Sequence, residues 1–256
     1  MDIADFLFKL ADVAAKQTLP RFRTRHDVVN KYTVGFDPVT EADREAERAI
    51  RAEIKRAFPG HGIIGEEFGA ENERAEHVWV IDPIDGTRAF ISGIPLWGTL
   101  VGLMRNGRAI AGVMAQPFTG EMYFADGKSS RYRGPDGDKL LKTSSVKTLG
   151  DAILFTTTPA LFKDDKRVAY DRLEQAVKLA RYGTDCYGYA MVAAGNAELV
   201  CECGLQTYDV AALIPIVEQA GGMMTDWSGG RAENGGFVLA SANAALHEAA
   251  ISMLAG

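Results

Sequence analysis

Two aspartates that follow an apolar run provide the strongest chemical signal in the sequence. Residues 79–87 read Trp-Val-Ile-Asp-Pro-Ile-Asp-Gly-Thr, so a strand-like stretch leads directly into Asp82 and Asp85. Two carboxylates buried at a strand end are costly unless a cation neutralises them. Pro83 bends the chain so that both carboxylates and the carbonyl oxygen of Ile84 can converge on one point. Oxygen-only ligands of this kind suit Mg²⁺, Mn²⁺ or Ca²⁺ rather than zinc.

Three further acids occur where a carboxylate could join the first two. Glu66 follows the short strand-like piece at residues 62–64, and Asp209 begins an apolar helical run. Asp43 ends the segment Thr40-Glu41-Ala42-Asp43, a capping-box pattern. Each pattern alone is also typical of a structural acid that caps a helix. The turn Asp85-Gly86 after the strand is likewise also typical of a structural turn whose acid caps a helix.

The order and approximate spacing of these motifs resemble the inositol monophosphatase family over roughly residues 1–240. The matching segments are Thr40–Asp43, Gly65–Glu67, Trp79–Thr87, Tyr208–Ala212 and Ala220–Trp227. The core Asp-Pro-Ile-Asp-Gly-Thr is highly specific. Tyr208 stands where many members have tryptophan, and Leu213 stands where glycine is common. Neither departure removes a ligand, so we expect them to alter the shape of the pocket.

The resemblance implies an α+β fold, the layered α-β-α-β-α sandwich of the inositol monophosphatase and fructose-1,6-bisphosphatase type. It also implies a phosphomonoesterase that uses two or three Mg²⁺ ions per subunit. Mn²⁺ is expected to substitute, whereas Li⁺ and Ca²⁺ are expected to inhibit. A homodimer is implied as well.

Position by position, the resemblance implies two overlapping groups of metal ligands: Glu66, Asp82 and the Ile84 carbonyl for one ion, and Asp82, Asp85 and Asp209 for the other. Asp43 and Thr87 would orient and deprotonate the attacking water, and Glu66 would also support a third ion. The amides of Gly86 and Thr87 would bind the phosphate, which fits the anion affinity of a helix start. Two ions about 3.5–4 Å apart can activate water on one side of a phosphate and neutralise the leaving alkoxide on the other.

The region after residue 180 indicates which phosphate ester is the substrate. The segment Thr184-Asp185-Cys186-Tyr187 resembles the histidinol-phosphate phosphatases of the family more than its inositol phosphatases, as does the segment 88–99. Histidinol phosphate carries an ammonium and an imidazole, so we expect carboxylates beside it, and Asp185 and Glu202 can supply them. For both acids a structural role stays open. Tyr187 and Trp97 are more typical of core aromatics than of imidazole-stacking partners.

We therefore expect a Mg²⁺-dependent phosphatase that hydrolyses L-histidinol phosphate in histidine biosynthesis. One alternative is an inositol-1-phosphate phosphatase with a broad polyol-phosphate range. Another is a non-catalytic binding partner of macromolecular machinery, which would need an exposed basic or apolar docking face. The formal net charge of −6 gives no indication of a basic one.

Apolar periodicity predicts the elements that position these residues. A helix is expected from Ile3 towards Pro20, and a second from Thr40 to Pro59. Further helices are expected over 166–181 and over 209–220, the latter kinked or started late by Pro215. Strands are expected near 78–81, 99–104, 109–115, 121–124, 153–156, 199–203 and 222–225.

A polar, turn-rich segment at residues 131–142 suggests a boundary between two halves. Residues 1–142 would carry most metal ligands, and residues 143–256 would complete the metal and substrate site. The three cysteines, at 186, 201 and 203, are expected to be small core residues rather than disulfide partners.

The composition limits the class of partner. The chain has 256 residues, of which 47% are hydrophobic and 24% charged, as in an ordinary globular protein. Its acidic balance argues against nonspecific binding to nucleic acid or to an anionic membrane, since both need clustered positive charge. No apolar stretch resembles a signal peptide or a membrane span, and we expect a cytoplasmic protein whose partner is a small phosphate ester.

Overall fold

A computed structural model describes residues 2–24, 29–30 and 38–255 of the chain. The α-helices in these ranges are α1 Ile3–Thr18, α2 Glu41–Ala57, α3 Thr87–Ile91, α4 Asp164–Ala176, α5 Asp185–Ala193, α6 Thr207–Val210, α7 Leu213–Glu218 and α8 Ala244–Ala255. None of these described helices has the length and hydropathy needed to cross a bilayer.

The strands belong to a two-stranded, an eight-stranded and a five-stranded sheet. The strands are β1 Val29–Asn30, β2 Pro38–Val39, β3 Gly62–Gly65, β4 Gly69–Glu71, β5 His77–Asp85, β6 Gly98–Arg105, β7 Arg108–Gln116, β8 Glu121–Ala125, β9 Ser130–Gly134, β10 Gly137–Leu140, β11 Ile153–Thr156, β12 Leu179–Tyr182, β13 Leu199–Leu205, β14 Met223–Asp226 and β15 Gly236–Ser241. The large sheet has the order β10-β9-β8-β7-β6-β5-β3-β4, and the five-stranded sheet has the order β12-β11-β13-β15-β14.

Helices and sheets alternate in five layers. Helices α1 and α2 pack on each other and against one face of the large sheet, while α6 and α7 contact its opposite face. Helices α5 and α7 pack together and also contact the five-stranded sheet, so they form the middle layer. Helices α4 and α8 pack on each other, and α8 covers that sheet through β15. The predicted layered α-β-α-β-α architecture is confirmed.

The first two helices form where their sequence patterns predict them. Phe6, Leu7, Leu10 and Ala14 form the buried stripe of α1. At the start of α2, Thr40 Oγ1 accepts a hydrogen bond from the Ala42 N–H, and the Thr40 N–H donates to Asp43 Oδ2 at 2.8 Å. The predicted capping box is therefore present, and it fixes the rotamer of Asp43.

The helix predicted over 166–181 is wrong in its last five residues. Helix α4 ends at Ala176, and residues 179–182 instead form β12, which pairs in parallel with β11. Val168, an apolar residue of α4, is 56% exposed. Helical spacing of apolar residues continues past Ala176, but pairing with a strand more than 20 residues earlier overrides it.

The helix predicted over 209–220 is interrupted. It consists of α6 and α7, and Pro215 is the third residue of α7, so the proline marks a late start. The polar segment 131–142 contains the hairpin β9-β10, which ends the large sheet. The boundary between two halves at residue 142 stays a prediction. The largest hydrophobic cluster of the described residues joins both sheets, with Met114 from the first half and Leu199 from the second.

Candidate active site

A bulge in β5 aims the two aspartates of the central motif at one point. Asp82 pairs with Leu100 and Asp85 pairs with Gly98, so β5 has one extra residue between these pairs. In a regular strand, residues three positions apart face opposite sides of the sheet. The extra residue turns both side chains to the same side. The Pro83 carbonyl accepts a hydrogen bond from Thr99 Oγ1 at 2.8 Å, which fixes the bulge to β6.

Asp209 reaches the same point from the middle layer. It lies in α6, which packs against β5 and β6. This close approach depends on Gly102, because a Cβ there would lie 2.7 Å from the backbone carbon of Ala211. Gly112 on β7 faces the backbone of Ala212 in the same way. Two glycines in the sheet therefore let the α6–α7 junction rest directly on the strands.

The three aspartates form a tight group of possible metal ligands. One carboxylate oxygen from each of Asp82, Asp85 and Asp209 lies within 4.8 Å of the other two. Each of these side chains also accepts a hydrogen bond from a main-chain N–H group, which fixes its orientation. These donors are the N–H groups of Ile84 to Asp82 at 3.0 Å, of Cys186 to Asp85 at 2.6 Å, and of Gln206 to Asp209 at 2.6 Å.

Glu66 joins the group from the end of β3. Its N–H donates to the Ile81 carbonyl of β5 at 3.1 Å, and its side chain lines the same cavity as the aspartates. Its charge also raises the pKa values of Asp82, Asp85 and Asp209. All four predicted carboxylate ligands are therefore brought together.

Electrostatics favour a bound cation at this point. Burial is the main reason that the pKa of Asp82 and that of Asp209 lie well above the usual aspartate range, and neighbouring carboxylates raise them further. Burial and the charge of Asp185 raise the pKa of Asp85 to about 7. No lysine or arginine is among the main causes of these three shifts. An oxygen-only group of converging, uncompensated carboxylates fits a hard divalent cation such as Mg²⁺.

The Ile84 carbonyl lies in the same bulge and accepts a hydrogen bond from Thr87 Oγ1 at 3.0 Å. A carbonyl oxygen has two lone pairs, so the other stays available to a cation. Asp43 is 1% exposed, and its Oδ2 is engaged by Thr40, whereas its buried Oδ1 has no hydrogen-bond partner among the described residues. Burial and the charge of Glu66 raise the pKa of Asp43 to about 6. The joint action of Asp43 and Thr87 on water stays a prediction.

The predicted phosphate-binding turn opens α3. Gly86 is its N-cap residue with φ of +79°, a conformation that favours glycine, and no side chain caps this end. Gly86 and Thr87 both line the cavity beside the aspartates. The helix has only five residues, so its backbone N–H groups matter more than any helix dipole.

The cavity has a volume of about 300 Å³. Its lining includes the metal-compatible carboxylates and the phosphate-binding turn. The other lining residues are Arg88, Thr157, Leu161, Asp185, Glu202, Cys203, Gly204 and Leu205. Leu161 is 40% exposed.

Both predicted substrate acids line this cavity, but they differ in accessibility. Asp185 packs against the phosphate-binding turn, since a Cβ at Gly86 would lie 3.1 Å from Asp185 Oδ2. Glu202 is only 2% exposed, and its Oε1 accepts hydrogen bonds from the Thr157 N–H at 2.6 Å and from Thr157 Oγ1 at 3.0 Å. Burial raises the pKa of Glu202 to about 8. Glu202 therefore supports Thr157, and Asp185 is the more accessible acid.

The two aromatic residues considered above lie elsewhere. Trp97 is fully buried and packs edge-on against Phe90, with ring centroids 4.9 Å apart. Tyr187 lines a different cavity, where its hydroxyl donates to Glu121 at 2.7 Å. Cys203 departs from the core role expected of the cysteines, because it is partly exposed and lines the candidate site.

Sequence reasoning did not single out Thr157, Leu161 or Leu205. Thr157 follows the carboxyl end of β11, and β11 pairs in parallel with both β12 and β13. A polar residue just after an apolar strand could have been found as a site candidate on that ground. Leu161 and Leu205 carry no signal in the sequence that separates them from core leucines.

Comparison with known proteins agrees with this geometry. The model of the inositol monophosphatase family matches residues 2–255. The chain is 42% identical over 225 residues to a protein of Arabidopsis thaliana named bifunctional phosphatase IMPL2, chloroplastic. That match covers 87% of this chain but only 63% of the relative. The chain is 37% identical over 239 residues to the histidinol-phosphatase of Chlorobaculum parvum, a match that covers 93% of this chain and 91% of the relative.

Another relative has a different name. The inositol-1-monophosphatase of Mesorhizobium japonicum is 34% identical, over 76% of this chain and 74% of its own length. A solved structure of an inositol monophosphatase from Zymomonas mobilis has a TM-score of 0.88 and 38% identity, covering 98% of this chain and 97% of that one. The family match, the metal-compatible carboxylate cluster and the shared fold agree, and the chain belongs to the inositol monophosphatase family of phosphomonoesterases.

Proposed function

We propose that the chain is a Mg²⁺-dependent phosphatase that hydrolyses L-histidinol phosphate to L-histidinol and phosphate. The observation that carries the reaction type is the group of Asp82, Asp85 and Asp209, whose oxygens converge within 4.8 Å. Mg²⁺ bound there would supply a Lewis acid that polarises the phosphate and lowers the pKa of a nucleophilic water. We take Glu66 and the Ile84 carbonyl as further ligands.

The protein's own groups orient the reactants in this proposal. Gly86 and Thr87 bind the phosphate through backbone N–H groups at the start of α3. Asp43 accepts the proton of the attacking water, with Thr87 aligning that water. The raised pKa of Asp43, about 6, suits a general base near neutral pH. The main-chain hydrogen bonds to the aspartates hold the ligand oxygens in place before substrate arrives.

The distribution of charge in the cavity favours histidinol phosphate over a polyol phosphate. In histidinol phosphate the ammonium lies on the carbon next to the one that bears the phosphate ester. Asp185 lies against the phosphate-binding turn, so it is placed to contact such an ammonium. Leu161, Cys203 and Leu205 also line the cavity. An imidazole ring can contact these apolar side chains, whereas ring hydroxyls of inositol placed against them would lose water without gaining a hydrogen bond there.

The experiment compares kcat/KM for L-histidinol phosphate and inositol-1-phosphate, in wild type and in Asp185→Asn. We expect wild type to favour histidinol phosphate at least about tenfold, and Asp185→Asn to lose about 10–100-fold on that substrate because the charge pair with the ammonium is broken. Inositol-1-phosphate, which has no cation, should lose far less. Equal turnover of the two esters by wild type would contradict the assignment, and equal losses would remove the role of Asp185.

The runner-up function is inositol-1-phosphate hydrolysis with a broad polyol range, which the name of the Mesorhizobium relative supports. A histidine-biosynthetic role, a homodimer and a cytoplasmic location stay predictions that accompany the primary proposal. Phosphate release from any small monoester would count against the remaining alternative, a non-catalytic partner of macromolecular machinery.

A further inference from the structure

A buried carboxylate outside the candidate site contacts the turn that carries Glu66. The side chain of Glu47, on α2, is fully buried. Its Oε2 accepts a hydrogen bond from the Glu67 N–H at 2.7 Å, and its Oε1 lies 3.3 Å from the Phe68 N–H that donates to it. A buried charge is costly unless it is paired and hydrogen-bonded, and here the backbone of this turn supplies the bonds.

Arg51 completes the contact one helical turn later. Its Nε donates to Glu47 Oε1 at 2.7 Å, and its side chain is 7% exposed. Its two remaining nitrogens reach β4, directly after the turn, where Nη2 donates to the Gly69 carbonyl and Nη1 donates to Glu71 Oε1 at 3.1 Å. The planar guanidinium therefore joins α2 to β4 at the far side of the turn.

The approach of Glu47 requires a glycine at the start of the turn. A Cβ at Gly65 would overlap Glu47 Oε1. The glycine that precedes Glu66 therefore makes room for this carboxylate rather than for a ligand.

Glu66 is consequently held on both sides. Its own N–H is bound to the Ile81 carbonyl of β5, and the next N–H, that of Glu67, is bound to Glu47. With both flanking peptide units fixed, the Cα–Cβ direction of Glu66 is fixed relative to the aspartates on β5. Hydrogen bonds beyond the ligands themselves commonly alter metal affinity by about 10–100-fold.

We propose that Glu47 and Arg51 are positioning residues that orient Glu66 for metal binding. The proposal rests on the proposed function, since it takes Glu66 as a metal ligand. It assigns to α2 a second contribution to the site, through the turn between β3 and β4, in addition to Asp43 at the start of the same helix.

The test is the variant Glu47→Gln, with Mg²⁺ binding measured by calorimetry in the absence of substrate. The amide nitrogen of glutamine is a donor and would face N–H donors of the turn or of Arg51. We expect Mg²⁺ to bind about 10–100-fold more weakly, and kcat to return close to the wild-type value at saturating Mg²⁺. A merely structural role would lower the amount of folded protein and leave the Mg²⁺ affinity of that protein unchanged.

The matched control is Glu53→Gln, the same substitution on the same helix. Glu53 pairs with Lys9 and Arg56 at 2.6 Å each and does not contact the turn. Its Mg²⁺ affinity should equal that of wild type. If Glu47→Gln also binds Mg²⁺ within about twofold of wild type, the proposal is wrong.

Two further measurements cover a variant that fails to fold. Arg51→Lys keeps a positive charge beside Glu47 but cannot bridge to Gly69 and Glu71, and it should weaken Mg²⁺ binding several-fold, whereas unchanged affinity would overturn the proposal. In wild type, the Glu67 amide should exchange its hydrogen slowly even without metal, and fast exchange would contradict the hydrogen bond to Glu47. A wild-type protein that binds no Mg²⁺ and releases no phosphate would instead refute the proposed function.

Discussion

At the residue scale, Asp82 is a buried carboxyl group whose neighbours are other acids. It is 2% exposed, and burial and the charges of Glu66, Asp85 and Asp209 raise its pKa well above the usual range. One of its oxygens already accepts the Ile84 N–H, which leaves the other for a cation. The site is therefore organised for a metal at a cost to the stability of the metal-free protein.

The variant Asp82→Asn should separate activity from stability. It removes the charge of a candidate ligand, so phosphate release should fall at least about 100-fold. Substituting a residue that only hydrogen-bonds to a metal ligand typically costs about 10–100-fold, and loss of the ligand itself should cost at least as much. It also removes repulsion among buried acids, so the metal-free protein should unfold at a higher temperature. A gain of about 1 kcal/mol corresponds to roughly 2–4 °C for a chain of this size.

Phosphate-release kinetics and thermal unfolding in chelator test this pair of effects. Asn retains an oxygen that can accept the Ile84 N–H, so the bulge should persist. A variant that is both less active and less stable without metal would contradict the electrostatic explanation.

The candidate metal ligands could be predicted from the sequence because their spacing along the chain is distinctive. Asp82 and Asp85 share one strand end, and a single bulge brings them together. Leu161 could not be predicted, because nothing in the sequence separates it from a core leucine. Thr157 could be found only through its position after an apolar strand, since it reaches the cavity through the pairing of β11 with β12 and β13. The direct role expected of Glu202 is weakened by its burial, which the alternation of the strand pattern does not reveal.

At the scale of elements, the position of α6 relative to the large sheet decides where Asp209 lies. Gly102 on β6 and Gly112 on β7 remove the side chains that would separate the α6–α7 junction from the strands. Close packing of this kind tolerates little added volume. The distance between sheet and helix thus controls the distance from Asp209 to Asp82 and Asp85.

Gly102→Ala should weaken Mg²⁺ binding, although Gly102 is not itself a candidate ligand. The added methyl would lie 2.7 Å from the Ala211 backbone, and overpacking of this kind costs about 1–3 kcal/mol. We expect a lower unfolding temperature together with weaker Mg²⁺ binding, because α6 moves away from β5. Calorimetric titration with Mg²⁺ and thermal unfolding measure both effects.

Gly60→Ala is the control, since a Cβ there meets no atom within 4 Å. It should bind Mg²⁺ as wild type does. Wild-type Mg²⁺ affinity in Gly102→Ala would show that the spacing of α6 does not set the geometry of the site.

Helix α2, which has a strong local pattern, was predicted correctly, whereas β12, which is defined by distant pairing, was not. Helix α2 has its own cap at Thr40, so its start is encoded within four residues. By contrast, the local pattern around residues 177–182 fits a helix as well as a strand, and only the neighbouring β11 selects the strand. The α6–α7 break follows from Pro215, which removes a helical N–H donor.

At the scale of the whole molecule, several buried acids make the stability of the metal-free protein depend on pH. The pKa of Asp85 is raised to about 7 and that of Glu202 to about 8, from ordinary values of 3.8 and 4.5. The folded state therefore binds more protons than the unfolded state between these limits. Stability is highest at low pH within this window and falls as pH rises through the folded-state pKa values.

The metal-free protein should lose at least about 2 kcal/mol of stability between pH 6.5 and pH 8.5, or at least roughly 4–8 °C in unfolding temperature, because Asp82 and Asp209 add to the effect of Asp85 and Glu202. Burial lowers the pKa values of His61 and His247, and this opposes the trend, but mainly below about pH 6.5. Mg²⁺ should stabilise the protein most at pH 8.5, because protons compete with the metal for the same carboxylates at lower pH.

Thermal unfolding at several pH values, in chelator and in Mg²⁺, measures this dependence. The opposite trend in chelator, a rise in unfolding temperature from pH 6.5 to pH 8.5, would mean that the buried acids are ionised and compensated within the protein.

The layered architecture could be predicted only because the motifs occur in a recognisable order along nearly the whole chain. Periodicity alone indicates mixed helices and strands, but it does not give the order β10-β9-β8-β7-β6-β5-β3-β4 or the placement of α5 to α7 between two sheets. The shared middle layer is also why Asp209, from the second half, meets Asp82 and Asp85, from the first.

The most direct test of the central claim is phosphate release from L-histidinol phosphate by chelator-treated protein as Mg²⁺ is added back. A bound metal contributes several kcal/mol to such a reaction, so the rate should rise from near background by at least about 100-fold and then saturate. The same rate with and without Mg²⁺ would contradict the account, because the converging carboxylates would then have no role in the chemistry.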